Sequence, residues 1–532
     1  MNFKLSLFGI LLIGFSSFSQ TQPFDIVLTP KTIPNLGGLQ SFAFGQYNGE
    51  WLLVGGRLDG LHRRQPFASF DVAGNNNQLI VVNPVTSQTW SAPLSSLSIA
   101  LQEQLSSTNM EFHQDGDYLY LVGGYGYNAQ YASRLTFHNL TAITVSATIN
   151  AIKNNAPFAN YFRQITDDAF AVTGGHLKKI NNTFYLIGGN RFDGNYNPMG
   201  NPTYTQVYTD AIRKFKVVDD GTNLTITHLP TITDATNLHR RDYNAVPQIL
   251  PNGNEGVTVF SGVFQPTVNL PFLTSVDIDS LGHTLNAGFQ QYYNHYHCAV
   301  LPLYAASSNE MHSVFFGGIA QYYENNGVLV QDNEVPFVKT IARVTRGATG
   351  TLAEYKLPVE MPMYLGAGSE FIPLESIPHY ENEVIKLDDL NQDTTLVGYI
   401  FGGIASSAPN IFNSNTGTQS EASNQLFSVS IVKNALGLHD LNEQSVNSLG
   451  LQVNPNPSNG NFQVFFNLTA ITPTTLTLYG VDGKIIEEIT LTDLKVGANV
   501  YQSVKSNREI GGTFFLKITT QFETAIQQLI IK

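Results

Sequence analysis

A polar turn, an apolar run and a glycine pair form the unit that repeats along this chain. It is cleanest at NTFYLIGG (Asn182 to Gly189). It returns as EWLLVGG (Glu50 to Gly56), DYLYLVGG (Asp117 to Gly124), HSVFFGG (His312 to Gly318) and VGYIFGG (Val397 to Gly403), with a weaker VTVFSG at Val257 to Gly262. A short aromatic and β-branched run bounded by glycine predicts a strand buried on both faces. The glycines let the backbone take positive φ or lie close against a neighbouring chain. Six such copies predict a radial repeat, because one unit cannot bury both faces alone.

Flanking runs complete a four-strand unit. An apolar run precedes the turn, as in SFAFGQ before Tyr47 to Glu50 and AVPQIL before Pro251 to Gly256. Third strands are predicted at Gln78 to Pro84, Ser133 to Asn139, Ala211 to Val217, Thr274 to Asp279, Phe337 to Val344 and Gln425 to Val432. Fourth strands are predicted at TWSAPL, ITVSATI, LTITHLP, HTLNAGF and LAEYKLP. The sixth unit lacks one, while FDIVLTP (Phe24 to Pro30) stands alone near the start. Joining the two pairs both exposed edges at once. The expectation is an all-β, six-bladed propeller closed by its N-terminal strand.

On these residues the chain from about Phe24 to Val432 resembles a kelch-repeat β-propeller. The marks are the apolar run ending in a glycine pair and the aromatic near the fourth strand, as in NPVTSQTW ending at Trp90. Most units lack the family's tryptophan, the fourth has Ser261 for the first glycine, and the spacing exceeds the family's period of roughly 50 residues. The resemblance implies the fold. It implies no single function, since kelch propellers include binding modules and enzymes.

The chain then changes character. Asn434 to Leu449 shows no alternation and reads as a polar connector. NPNPSNGNFQVFF (Asn454 to Phe466), TLTLYGVDGKIIEEI, GANVYQSV, GTFFLKI and QQLIIK follow, alternating between turn signals such as Asp482-Gly483. They predict a small immunoglobulin-like antiparallel sandwich. The segment resembles the type A C-terminal sorting domain of the bacterial type IX secretion system. Its marks are Asn454-Pro455-Asn456-Pro457 with Gly460, Tyr479 with Gly483-Lys484, Gly512 with Phe514 and Phe515, and the terminal Lys532. The resemblance implies a type IX secretion machinery partner, passage across the outer membrane of a Gram-negative bacterium, and release or anchoring at the surface. An appended binding module is the alternative.

Composition agrees with export. Lys4 and the run Leu5 to Phe15, followed by the small residues Ser16 to Gln20, have the three-part form of a secretory signal. The run is shorter than the roughly 20 residues of a spanning helix, and no cysteine follows it for lipid anchoring. The expected organisation is residues 1–20 signal peptide, 21–433 propeller, 434–450 linker and 451–532 sorting domain. A net charge of −13 argues against nucleic acid, whose binders need a basic face. Cys298 is the single cysteine, so no internal disulfide forms, and a buried, inert role is expected for it.

Loop lengths place the candidate site. First-to-second and third-to-fourth connections are short (HQDGD, PNGNEG, DDGTN, DSLG). Arg57 to Asn77, Asn190 to Asp210, Ile404 to Ser423 and Pro93 to Met110 are long. One face of the disc is expected plain and the other elaborated, and sites gather on loops held by rigid scaffolds. Nearest the opening should lie His239, Arg240, Arg241, Asp242 and Tyr243, then His295 and His297, then Glu370, with Glu111 and His113 in the second unit. Arg57, Arg191, Asp193 and Tyr125 follow glycine pairs and reach the same funnel. Alternation lets one of Arg240 and Arg241 point inward. These groups could clamp an acidic ligand, supply an acid and a base, or satisfy one another and loop backbone.

His295 and His297 lie on one side of a strand, but spacing places no carboxylate for zinc. No phosphate-binding glycine loop precedes a helix. Neither metal nor cofactor is expected. The favoured reading is a propeller binding a glycan or protein through Tyr, Asn and Phe in YGYNAQY (Tyr125 to Tyr131), RFDGNYN (Arg191 to Asn197) and QYYNHYH (Gln291 to His297). The alternative is an enzyme acting on an acidic sugar. It resembles in outline the kelch-type sialic acid epimerases, which implies Arg240 or Arg241 as clamp and His297 or Glu370 in proton transfer. A scaffold without a small-molecule site is the third possibility.

Overall fold

The computed structural model describes residues 22–65, 68–197, 203–433, 449–468, 470–480, 485–503, 511–520 and 524–532. The expected signal peptide, nearly all of the linker and the Asp482-Gly483 turn lie outside these residues. The chain forms two compact units, one spanning Ile26–Ile431 and one carrying Val432–Lys532. Both are built of β-structure.

Among the described residues, six sheets of four or five strands and three two-stranded hairpins make up the larger unit, and each of the six has four antiparallel strands at its heart. Sheet 1 holds Ala43–Tyr47, Glu50–Val54, Gln78–Asn83 and Gln88–Pro93. Sheet 2 holds Glu111–Asp115, Tyr118–Val122, Asn139–Thr144 and Phe162–Thr166. Sheet 3 holds His176–Ile180, Thr183–Ile187, Ala211–Asp219 and Leu224–Thr233. Sheet 4 holds Asn244–Ile249, Glu255–Phe260, Ser275–Ile278 and His283–Asn286. Sheet 5 holds Val300–Ala305, Glu310–Phe316, Thr340–Arg346 and Leu352–Glu360. In sheet 6, Tyr364–Pro373, Thr394–Ser406 and Leu426–Lys433 are completed by Phe24–Lys31.

The second strands are buried on both faces, and strand alternation explains how. In Glu50–Val54, Leu52 and Val54 join a core with Leu119, Leu121 and Ile143 of sheet 2. Trp51 and Leu53 point the other way, into a core with Ile372, Tyr399 and Phe401 of sheet 6. Each such side chain stabilises by about 1.5–3 kcal/mol on burial, so a run of apolar residues is what a strand between two neighbours requires.

The glycine pairs have a specific task. The second member donates its N–H to the approach segment of the next sheet: Gly56 to Ser107 O, Gly124 to Val172 O, Gly189 to Arg240 O, Gly262 to His295 O, Gly318 to Leu365 O and Gly403 to Leu39 O. That backbone comes so near that a Cβ on Gly123 would sit 1.9 Å from Val172 O. Side chains are therefore excluded. Nearer the centre, a second set of bonds runs around the unit. Asn109 N–H donates to Ser41 O (3.2 Å), Gly174 to Asn109 O (3.3 Å), Asp242 to Gly174 O (2.7 Å), His297 to Asp242 O (2.9 Å), Gly368 to His297 O (2.9 Å) and Ser41 to Gly368 O (2.8 Å). One residue comes from the approach to, or start of, each sheet, and the last bond returns to the first residue.

Two expectations fail. Ser133 to Asn139 and ITVSATI are not the outer strands of sheet 2. Ser133–Thr136 instead pairs with Tyr125–Asn128 in a separate hairpin. ITVSATI runs into helix α2 (Val145–Lys153), α1 being Ile99–Leu105. Val145, Thr148, Ile149 and Ile152 are buried, a helical spacing that the β-branched composition disguised. Asp117 secures the start of α2, accepting from Ser146 N and Ser146 Oγ. The plain face is also less plain than expected. The connection between Tyr364–Pro373 and Thr394–Ser406 is long, and its Ile385–Lys386 pairs in parallel with Leu303 and Tyr304 of sheet 5.

In the smaller unit, Gln452–Asn454, Phe462–Leu468 and Gly497–Ser503 form one sheet. Ile485–Leu491, Thr474–Gly480, Gly512–Thr519 and Thr524–Ile531 form the other. Val464, Phe466, Leu476, Phe514, Leu516 and Leu529 share their common core.

Candidate functional site

The long connections meet over the ring of backbone bonds and enclose a cavity of about 300 Å³. Its walls come from second-to-third connections of all six sheets, His62 and Phe70, Tyr125, Phe192 and Tyr196, Phe264, Ile319 and Phe412, with Ile404 added from the end of a second strand. Its floor is the ring itself, Ser41, Asn109, Gly174, Asp242, His297 and Gly368. Five of these six have φ between 51° and 69°, His297 being the exception. Gly, Asn and Asp tolerate that conformation best, which explains their presence at these positions.

Below the floor lies a waist of about 40 Å³ that shares Ser41, Asn109, Gly174, Asp242 and His297 with the cavity and adds Glu111, His176 and Glu370. His176, His297 and Glu370 continue into a chamber of about 120 Å³. His113, Gln114 and Glu383 lead from there to the opposite mouth, about 500 Å³. The polar residues thus form a column through cavities that share their lining.

The floor's charges are paired. Arg241 Nη1 binds the carboxylate of Asp242, its Nε donates to Tyr208 Oη at 3.2 Å, and its guanidinium lies 5.2 Å from the Phe264 ring centre. Asp242 is the chief reason its pKa is raised against the cost of burial. His297 Nε2 meets Glu370 Oε1 at 2.8 Å. Burial opposes the charge on His297, but the Glu370 carboxylate and their hydrogen bond raise its pKa. The His176 ring stacks on it at 5.1 Å and donates from Nε2 to Tyr243 O at 2.7 Å.

Glu111 is 1% exposed. Its Oε1 accepts from Gly175 N at 2.8 Å, while Oε2 has no hydrogen-bond partner among the described residues. Burial, with a smaller push from Asp242, lifts its pKa to about 8. It is a neutral acid at neutral pH.

The structure separates the sequence-derived candidates. Arg241, Asp242, His297 and Tyr125 line the cavity, and Glu370 and Glu111 line the waist. Tyr125 Oη donates to Gly194 O at 2.7 Å. Arg240 turns into sheet 4 instead. It is 1% exposed and donates to Asn237 O, Ser261 O, Thr274 O and Thr274 Oγ1. His295 is fully buried, bridging Gln291 O and Gln321 N, and desolvation lowers its pKa to about 4. It does not converge with His297. Arg57 is buried and holds its own loop through Asp59, Asn75 and Asp71 O. Arg191 is exposed and pairs with Asp193. His239 stacks on Tyr208 at 3.8 Å and bonds Asp210. His113 lies toward the opposite mouth. Cys298 is buried, its thiol pushed up to about 12 by desolvation.

Sequence reading named Tyr196 within RFDGNYN but missed His62, Phe264 and Phe412 in the walls and His176 in the column. All but His176 lie inside long connections, where neither period nor spacing marks an inward side chain. His176 opens a strand, two residues after the ring position Gly174, and that offset could have found it.

No curated protein matches the chain. Among solved structures it is similar to one described as the structure of YjhT, at 10% identity and a TM-score of 0.41, covering 74% of this chain and 100% of that one. It is similar also to an exo-1,5-alpha-L-arabinanase from a bovine ruminal metagenomic library, at 6% identity and 0.23, covering 75% and 95%. Likeness this low transfers neither ligand nor reaction. Among the described residues no helix is long and apolar enough to cross a membrane. Residues 452–532 match the family described as secretion system C-terminal sorting domain. That tail implies secretion to the cell surface or the extracellular space, and by it residues 452–532 belong to the sorting domains of the type IX secretion system.

Proposed function

We propose that this is an exported, kelch-like propeller, its six sheets the blades and Phe24–Lys31 the closing strand, that binds a carbohydrate in the cavity over the central ring. The two circuits of backbone bonds support the closed arrangement. Residues 21–433 make the propeller, 434–450 the linker and 451–532 the sorting domain. The observation that carries the ligand reading is the cavity itself. About 300 Å³ of space is large enough for a small ligand. Its aromatic walls suit the apolar faces of sugar rings and its hydrogen-bonding floor suits their hydroxyls.

A glycan array followed by calorimetry tests this. Tyr196→Ala and Phe412→Ala should each weaken binding at least tenfold without shifting the melting temperature. Retained affinity in both variants would place the ligand elsewhere. A second reading, catalysis on an acidic sugar, draws on the His297–Glu370 pair and the neutral Glu111. Turnover assays on the sugars that bind distinguish it from pure recognition.

A further inference from the structure

We infer that the sugar in this cavity is uncharged, and that the fixed carboxylate of Asp242 excludes acidic sugars; this rests on the carbohydrate reading above. The cationic groups on the floor are already matched by carboxylates. Arg241 is held by Asp242 and His297 by Glu370 at 2.8 Å. These pairs are mostly shielded from water, with side-chain exposures of 21% and 23% for the first and 26% and 14% for the second. His62, in the wall, is kept neutral by burial, its pKa lowered to about 4.

A ligand carboxylate entering such a site meets the Asp242 carboxylate, with Glu370 beneath the floor, and finds no unmatched cation among the described residues that line it. To reach Arg241 it must displace Asp242. Asp242 cannot withdraw its backbone, because its N–H donates to Gly174 O (2.7 Å) and its carbonyl accepts from His297 N (2.9 Å). Its φ of 51° fixes the direction in which the side chain leaves. Specificity here comes from an unfavourable contact with the wrong ligand as well as from good contacts with the right one. Sugar hydroxyls face no such conflict. They donate to Asp242 and accept from Arg241, using that pair as it stands.

The test measures binding of the full chain by calorimetry to methyl glycosides of glucose, galactose and mannose and to the matching methyl uronosides. A neutral member should bind, with its uronoside at least tenfold weaker. Asp242→Asn should raise uronoside affinity at least tenfold by releasing Arg241, and asparagine keeps the left-handed conformation. Wild-type binding of a uronoside as tight as its neutral partner overturns this inference and leaves the carbohydrate reading standing. Absence of binding across both series overturns both. An Asp242→Asn protein with unchanged melting temperature and no gain for uronosides shows that Asp242 is not the excluding group. If that variant does not fold, the wild-type comparison alone decides.

Discussion

His297 and Glu370, 73 residues apart in the chain, meet at 2.8 Å beneath the cavity floor. Their approach is built by main chain. His297 donates its N–H to Asp242 O and accepts from Gly368 N through its own carbonyl, so two sheets hold the imidazole against a carboxylate of the sixth. Glu370→Gln should lower the titration midpoint of His297, read from its ring proton by NMR. The sign for stability follows. A histidine whose folded pKa is raised contributes stability that is complete below its unfolded value of about 6.5 and is lost as pH rises through the folded value. The variant's deficit should therefore be largest in acid and shrink toward high pH. An unmoved His297 midpoint would show that the pair is not coupled.

Glu111 gives a pH prediction from the opposite kind of group. Its folded pKa is raised to about 8, so the folded state holds a proton that the unfolded chain releases near pH 4.3. Stability is complete below that value and falls as pH climbs toward 8, by on the order of 4 kcal/mol. Glu111→Gln keeps the neutral shape and removes the titration. Wild type and variant should melt closest together near pH 4, with the variant melting increasingly higher as pH rises to 8.5. Parallel melting curves across that range would show that Glu111 does not titrate as a buried acid.

Adjacent arginines should behave differently. Arg240→Ala removes a buried side chain with four hydrogen bonds and leaves three carbonyls of sheet 4 and its flanks unpaired. A loss of about 3 kcal/mol or more in stability is expected. Arg241→Ala removes half of a cavity pair and should change ligand affinity more than melting temperature. Equal melting temperatures for Arg240→Ala and wild type would contradict the placement of Arg240 in the sheet.

Legibility followed periodicity. Strands that end in glycine pairs were readable because burial on two faces leaves an unbroken apolar run, and because close backbone approach, as at Gly123, admits no side chain. The outer strands of sheet 2 were not readable. Val145, Ile149 and Ile152 mix β-branched propensity with helical spacing, and Asp117, far upstream of most of the helix, supplies its first hydrogen bonds. In the site, alternation showed that one arginine of 240 and 241 faces inward but not which one. The answer depends on Arg240 finding Ser261 O and Thr274 O, acceptors that no local pattern reveals. The cavity's aromatic walls come from loops, whose shape is set by neighbours.

Closure by the N-terminal strand is the remaining prediction. Phe24–Lys31 lies beside Leu426–Lys433 at the outer edge of sheet 6. Phe24 is fully buried and Ile26 is 5% exposed, so removing them forfeits about 1.5–3 kcal/mol each. Their loss also bares the backbone of Leu426–Lys433 as an open edge, which invites pairing between molecules. A chain lacking Phe24–Lys31 should melt lower by about 5 °C or more and should self-associate, detected by light scattering. The bonds that hold the floor to sheet 6, from Gly403 to Leu39 O and from Ser41 to Gly368 O, lie outside this strand. Sugar affinity measured below the transition should therefore survive. A shortened chain that stays monomeric with an unchanged melting temperature would mean that the ring's closure does not depend on this strand.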